Sequence, residues 1–413
     1  MDAGAMVVFE NCNVFDGVSG ALRENACVVV EGGRIVEVAE TTPRTIPARR
    51  IDCGQRVLMP GLIDAHVHAY SPSFSFYEND RLPPSLLAVH GARALEGMLE
   101  RGFTSVRDAG GGDVGLARAI ERGLIKGPRF FYSGKAISQT GGHGDMRPGE
   151  LTEPCGCSHY SGSISRVADG ADAVRQAVRD ELRHGATQIK LFVSGGVSSP
   201  NDPIWMNQFT DDEIRAAVEE AATRRTYVMA HCHTDEAARR CVELGVRTIE
   251  HGTEIKPETA ALMAKRNVYV VPTLSVIDML ARHAKVLKIS PATLQKAAGL
   301  YEQMIASIRV CAEAGVKIGL GTDLLGQEFQ HLQGGELDLR GAVQSPLDVL
   351  RSATSVNAEI LQRAGDLGTI APGAHADILV LNRNPLEDLS VFRDPIANIP
   401  IVVKAGVFVR CAL

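Results

Sequence analysis

Between residues 61 and 323 the chain alternates short apolar runs with longer amphipathic stretches, and this alternation limits the fold more than any other feature. Eight runs read as strands: the one entered through Pro60-Gly61, then Thr104–Arg107, Arg129–Tyr132, Ala186–Val193, Tyr227–Cys232, Val246–Ile249, Val268–Val271 and Val316–Leu320. Helical patterns fall between them. Leu116–Gly123 is one, and Asp172–His184 is another, with Val174, Ala177, Val178 and Leu182 on one stripe. Thr210-Asp211-Asp212-Glu213 is a capping box opening a helix through Ala222. Eight strand–helix units predict an α/β fold, a (β/α)8 TIM-like barrel with its chemistry at the carboxyl ends of the strands.

The ends of the chain differ from this middle. Val7-Val8-Phe9, Cys27–Val30 and Ile35–Val38 are short β-branched runs, and Gly32-Gly33 is a hairpin signal between two of them. Ala376–Leu381 and Ile401–Val409 repeat that character. The expectation is a small β-sandwich assembled from residues 1–60 and 365–413, bracketing a barrel over 61–364. A chain of 413 residues has the length for both.

Composition removes some function classes. A net charge of -6 leaves no basic footprint for nucleic acid or an anionic membrane. No window reaches the roughly 18 apolar residues of a membrane span, and no signal peptide is visible at Met1–Met6, which favours a cytoplasmic protein. Nine cysteines form no Cys-x-x-Cys pair, as expected of reduced thiols. Cys155-Gly156-Cys157, in a polar loop, is the one unusual spacing.

The polar residues that interrupt the strand ends carry the chemistry. His66 and His68 are two apart, so they project from one face of a strand and offer two imidazole nitrogens to a divalent metal. Lys190 stands in Gln188-Ile189-Lys190-Leu191-Phe192, where an unpaired ammonium is costly to bury. His231 and His233 share a face at the next strand end, with Cys232 turned away. His251 and Asp323 close two further strands.

This set resembles the amidohydrolase superfamily, in the branch related to imidazolonepropionase that includes Xaa-Pro dipeptidases and ochratoxin-hydrolysing enzymes. The matching motifs are Pro60–His68, Ser194-Gly195-Gly196-Val197-Ser198-Ser199-Pro200, Glu250-His251-Gly252-Thr253, Gly321-Thr322-Asp323, Asn384-Pro385-Leu386 and Ala376-Asp377-Ile378. The resemblance implies two divalent ions, Zn2+ by preference. His66, His68 and Asp323 would hold one and His231 and His251 the other, with Lys190 bridging both as an N6-carboxylated side chain. It implies hydrolysis of a small-molecule amide: a dipeptide or N-acyl amino acid with a free carboxylate, of the Xaa-Pro or ochratoxin-type acyl-phenylalanine kind. Asp323, His143 and His233 take catalytic roles, and His143, His233 and His331 are candidate substrate contacts. Relatives of this branch form ring-like assemblies, which implies a homo-oligomer, an octamer among the options. Deaminases of the superfamily tend to carry a glutamate three residues after the histidine matched here by His231; this chain has Thr234. The segment 272–315 holds extra helical sequence, suited to a lid or a subunit contact.

Two rival readings remain on the sequence. Gly110-Gly111-Gly112-Asp113-Val114-Gly115 satisfies a dinucleotide fingerprint, but no acidic residue closes a strand about 20 residues on. The other rival is a barrel without chemistry, serving as an assembly module. No Gly-x-Ser-x-Gly elbow or phosphate loop is present.

Overall fold

The computed structural model describes residues 6–40, 47–150, 161–199, 201–287 and 290–413. Cys155 and Cys157 lie outside the described residues. Both ends of the chain contribute to one eight-stranded sheet. Its order runs Val407–Cys411, Ile401–Lys404, Ile378–Leu381, Val57–Pro60, Val7–Val14, Arg23–Glu31 and Arg34–Ala39, with Arg49–Asp52 paired to Val7–Val14. The Gly-Gly hairpin forms as its chemistry requires. Gly32 and Gly33 take φ of 57° and 78°, and Glu31 pairs with Arg34 across the turn.

Alternation along these strands divides their side chains between two cores. Ile378, Val380, Ile401 and Val403 pack with Phe9, Val28 and Ile35. Leu379, Leu381 and Val402 turn the other way and pack with Leu62, Val67 and Phe103. The strands are thus buried on both faces, so their sequences are continuously apolar.

Leu62 begins the parallel part of the molecule. Leu62–Val67, Phe103–Asp108 and Arg129–Tyr132 form a three-stranded parallel sheet. Ser165–Val167, Ala136–Ser138, Ile189–Phe192, Val228–Cys232, Thr248–His251 and Tyr269–Val271 form a six-stranded one, also parallel. Backbone bonds link the two at both sides: Thr187 N–H donates to the Tyr132 carbonyl (2.8 Å), and Ala65 N–H donates to the carbonyl of Leu320 (2.8 Å), on a segment whose Gly319 N–H donates to the Val270 carbonyl (2.8 Å).

The expected strand Val316–Leu320 is reduced to one bridge, Ile318 to Val270. Asn357 explains why. Its amide nitrogen donates to the carbonyls of Ile63 (2.7 Å) and Leu320 (2.8 Å), and its oxygen accepts from Leu320 N–H (3.1 Å). A side chain has taken the place of ladder partners.

Helices cover the parallel strands with the faces their sequences predict. Ala171–Arg183 buries Val174, Ala177, Val178 and Leu182. Asp211–Thr223 starts at the expected capping box, with Thr210 and Glu213 satisfying each other's backbone N–H. Among the described residues no helix is long and apolar enough to cross a membrane.

Candidate metal centre and substrate cavity

The strand ends converge. His66 lies near the end of Leu62–Val67, Lys190 within Ile189–Phe192 and His231 within Val228–Cys232, while His251 closes Thr248–His251. These four, with His68, His143, His233 and Asp323, line one cavity. Asp323 Oδ1 sits 3.2 Å from His68 Nε2 and 3.6 Å from His66 Nε2. His66, His251 and Asp323 present ligand atoms within 4.8 Å of one another. The His231 ring stands 4.6 Å from that of His251 and 4.3 Å from that of His143. His251 and Asp323 both adopt left-handed backbone, φ 67° and 53°, a conformation that costs non-glycine residues energy and collects at functional sites.

Each imidazole is aimed by what its other nitrogen touches. Nδ1 of His66 meets Glu250 (2.7 Å), that of His68 the Gly110 carbonyl (3.0 Å), that of His251 the Thr273 hydroxyl (2.8 Å), and that of His233 the Thr253 hydroxyl (2.7 Å). Nε2 is left for the cavity in all four. His231 is reversed, with Nε2 on the Gly195 carbonyl (3.2 Å) and no hydrogen-bond partner for Nδ1 among the described residues. Such outer partners fix the tautomer and ring direction of a metal ligand.

Glu250 is itself held. Arg107, with no exposed surface, donates to both carboxylate oxygens (2.9 and 3.0 Å), to the Ala65 carbonyl and to Thr248. Burial alone would raise the Glu250 pKa, but the Arg107 charge and the His66 hydrogen bond bring it down to about 2.

The histidines are mostly neutral, the state in which imidazole binds metal. Burial lowers the pKa of His66 to about 4 and of His233 to about 3, and drives His231 and His251 well down. His68 goes the other way: burial pulls it down, but the hydrogen bond and charge of Asp323, together with the charge of Asp108, more than offset this. Burial pushes Asp323 upward, and His66 and His68 more than reverse this, leaving its carboxyl below the usual range.

Lys190 is the outlier. It is 1% exposed, its Nζ lies over the Phe192 ring, 5.3 Å from the centroid, and it makes no hydrogen bond or ion pair among the described residues. Burial pulls its pKa down to about 8.

His143 is not a solvated loop histidine. It is buried, with Nδ1 2.7 Å from Ser199 Oγ and 3.3 Å from Asp202 Oδ2. Glycine at 196 makes the fit possible, because a Cβ there would lie 2.2 Å from the His143 ring. The outer cavity wall is apolar: Phe74, Phe76, Met146, Ile164 and Leu325 on one side, and Val276, Ile277, Leu280 and Met304 on the other. The last four come from the extra helices Leu274–His283 and Leu300–Glu313, so the 272–315 segment covers the cavity.

Of the candidate catalytic, substrate and metal residues singled out in the sequence, His331 stays apart from the cavity. It is exposed, off the cavity, with Nδ1 on the Glu328 carbonyl (2.7 Å). Cys232 faces away from its neighbouring histidines, 3.6 Å from Cys241 Sγ. The glycine fingerprint is filled by the protein itself: Asp108 Oδ1 accepts from Gly110 N–H (3.0 Å) and Gly112 N–H (2.8 Å), the donors a pyrophosphate would need. Arg107, Glu250, Thr253, Thr273, Ser199 and Asp202 went unassigned in the sequence. Arg107 and Glu250 did leave a signal, as charged residues inside apolar strands.

Comparison with known proteins agrees with this arrangement. Residues 57–409 match the amidohydrolase family. The ochratoxinase of Aspergillus niger is 36% identical over 364 residues, covering 82% of this chain and 73% of that protein. A prolidase complexed with N-methylphosphonate-L-proline is 47% identical, with a TM-score of 0.95 over 98% of this chain and 100% of that one. A Xaa-Pro dipeptidase with methionine bound in its active site is 29% identical, with a TM-score of 0.89 over 98% and 100%.

Proposed function

This chain belongs to the amidohydrolase family and is a hydrolase of amide bonds, and from that premise we propose a two-metal enzyme that cleaves dipeptides or N-acyl amino acids bearing a free carboxylate. The observation that carries the reading is Lys190: a buried amine with no hydrogen bond or ion pair among the described residues, in one cavity with five side chains that can ligate metal. Burial lowers its pKa to about 8, which raises the share of free amine near neutral pH. That amine takes up carbon dioxide, gives up a proton and becomes an anionic carbamate with two oxygens to share.

His66, His68 and Asp323 would hold one ion, His231 and His251 the other, and carboxylated Lys190 both. Divalent ions held there, Zn2+ by preference for the nitrogen-rich set, would supply a nucleophile from water near neutral pH and a polarised amide carbonyl. The protein's own groups do the rest. Asp323, kept ionised, accepts a proton from the attacking water and returns it to the leaving nitrogen. His143 and His233, both aimed inward by their hydrogen-bonded Nδ1, bind the substrate's polar groups. The apolar outer wall accommodates a proline ring, an aliphatic side chain or an aromatic acyl group, in line with the prolidase and ochratoxinase relatives.

The two parallel sheets, linked through Thr187 and Leu320, read as one (β/α)8 barrel over 61–364, and the sheet from both ends as a β-sandwich of 1–60 and 365–413. A cytoplasmic homo-oligomer completes the reading. Metal analysis after purification with zinc should give about two ions per chain, and fewer than about one would favour an assembly module. A panel of Xaa-Pro dipeptides, Xaa-aromatic dipeptides and acyl-phenylalanine amides should then contain substrates. A metal-loaded enzyme that cleaves none of them would refute the substrate class.

A further inference from the structure

Lys296 sits outside the cavity and outside every motif discussed so far. It belongs to the short helix Pro291–Ala297, part of the covering segment. Its ammonium donates to three backbone carbonyls of one loop: Gly196 (3.0 Å), Ser199 (3.0 Å) and Asp202 (2.7 Å). Three bonds are all an ammonium can make, so this lysine is fully used on that loop.

The loop supplies both partners of His143, Ser199 Oγ at 2.7 Å and Asp202 Oδ2 at 3.3 Å. Asp202 is 1% exposed. Its Oδ2 also accepts from Gly196 N–H (3.0 Å) and Gln208 (3.3 Å), while its Oδ1 is buried with no hydrogen-bond partner among the described residues. A carboxylate with one oxygen unsatisfied gains from a nearby cation, and Lys296 is the one bound to the same residue's carbonyl. Loop position, His143 direction and the covering helices are therefore tied through a single side chain.

We propose that Lys296 and Asp202 are positioning residues for His143: Lys296 pins the loop to the covering helix, and the pinned loop holds the His143 ring over the metal centre.

The inference rests on the amide-hydrolase reading, and the test separates the two. Lys296→Met should lower kcat/KM on the best panel substrate by on the order of 100-fold, because a misplacement of about 1 Å has that effect. Its metal content should equal wild type, since no ligand is touched. Lys296→Arg, whose guanidinium can also reach carbonyls, should recover much of the loss. A crystal structure of Lys296→Met should show His143 Nδ1 parted from Ser199 and Asp202, a readout independent of any substrate. If that ring stays in place, or if kcat/KM stays within about twofold of wild type while only the melting temperature falls, the lysine is a structural staple and the proposal fails. Should Lys296→Met not fold, the near-isosteric Asp202→Asn decides in the same way by its His143 position. A wild-type enzyme inactive on the whole panel would defeat the substrate reading and leave the crystallographic result standing.

Discussion

In the sheet built from both chain ends, Leu58, Ile378, Val380 and Ile401 are fully buried and apolar; around the cavity, Arg107, Lys190, His66 and Glu250 are equally buried and polar. Each apolar side chain contributes about 1.5–3 kcal/mol by leaving water. Each charge at the strand ends costs several kcal/mol to desolvate, recovered only where a partner is well placed. Arg107 and Glu250 have such partners, whereas Lys190 has no hydrogen bond or ion pair among the described residues, only the face of the Phe192 ring. One region is stabilised by burial alone, while in the other a buried charge is offset where it has a close partner, as Arg107 and Glu250 have in each other.

The sharpest way to break this contrast is Lys190→Ala. On the proposed bridging role, activity should fall by at least about 10³-fold, because the bridging anion would be lost. Stability of the metal-free protein should hold or rise, because a buried ammonium with no hydrogen bond or ion pair among the described residues is removed. Turnover at the wild-type rate would end the bridging role; steady-state kinetics beside thermal melts would show it.

Glu250→Gln comes next, because it breaks a buried pair from one side. A loss of about 3–5 kcal/mol is expected by urea denaturation, with metal affinity weakened about 10- to 100-fold through the misdirected His66. The pH dependence has a definite sign. The folded-state pKa of Glu250 is about 2 against an ordinary 4.5, so its contribution is complete above pH 4.5 and is lost as pH falls toward 2. In metal-free protein the variant should have the shallower acid limb between those values. Equal limbs would mean that Glu250 is not the group holding Arg107 and His66.

On the apolar side, Ile378→Ala should cost about 2–5 kcal/mol by leaving a cavity between Phe9 and Ile35. KM should stay at the wild-type value, since the residue is remote from the cavity lining. A change in KM without a change in stability would mean that the two regions are not independent.

How much of each region was legible follows from the range of the interactions. His66, His68, Lys190, His231, His251 and Asp323 could be found because strand periodicity puts each on a known face, and parallel strands bring their ends together. The terminal strands showed through their β-branched runs and the Gly32-Gly33 turn. The Arg107–Glu250 pair did not, since 143 residues separate its members and each alone reads as an oddity. The Val316–Leu320 run looked like a strand because sequence carries no sign that Asn357 would occupy its ladder positions. His331 looked like a site residue by its nearness to Asp323, but the intervening turn leaves it on the surface.

Thr234 lies on the border between the two kinds of residue and gives the smallest expected effect. It follows His231 by three positions, where deaminases of the superfamily tend to carry glutamate, yet here its hydroxyl accepts from Ala237 N–H (3.2 Å) and caps the helix Asp235–Leu244. Thr234→Glu should therefore cost about 1 kcal/mol for the lost cap, partly offset by an acidic group at the helix N-terminus. It should not convert the chemistry, because Lys190 and the histidines around it are unchanged. Amide cleavage should persist, and no ammonia should be released from aminated ring substrates. Ammonia release would mean that the residue after the strand end, rather than the Lys190 position, selects the reaction. A residue that shapes a helix end would then outweigh one placed among the metal ligands.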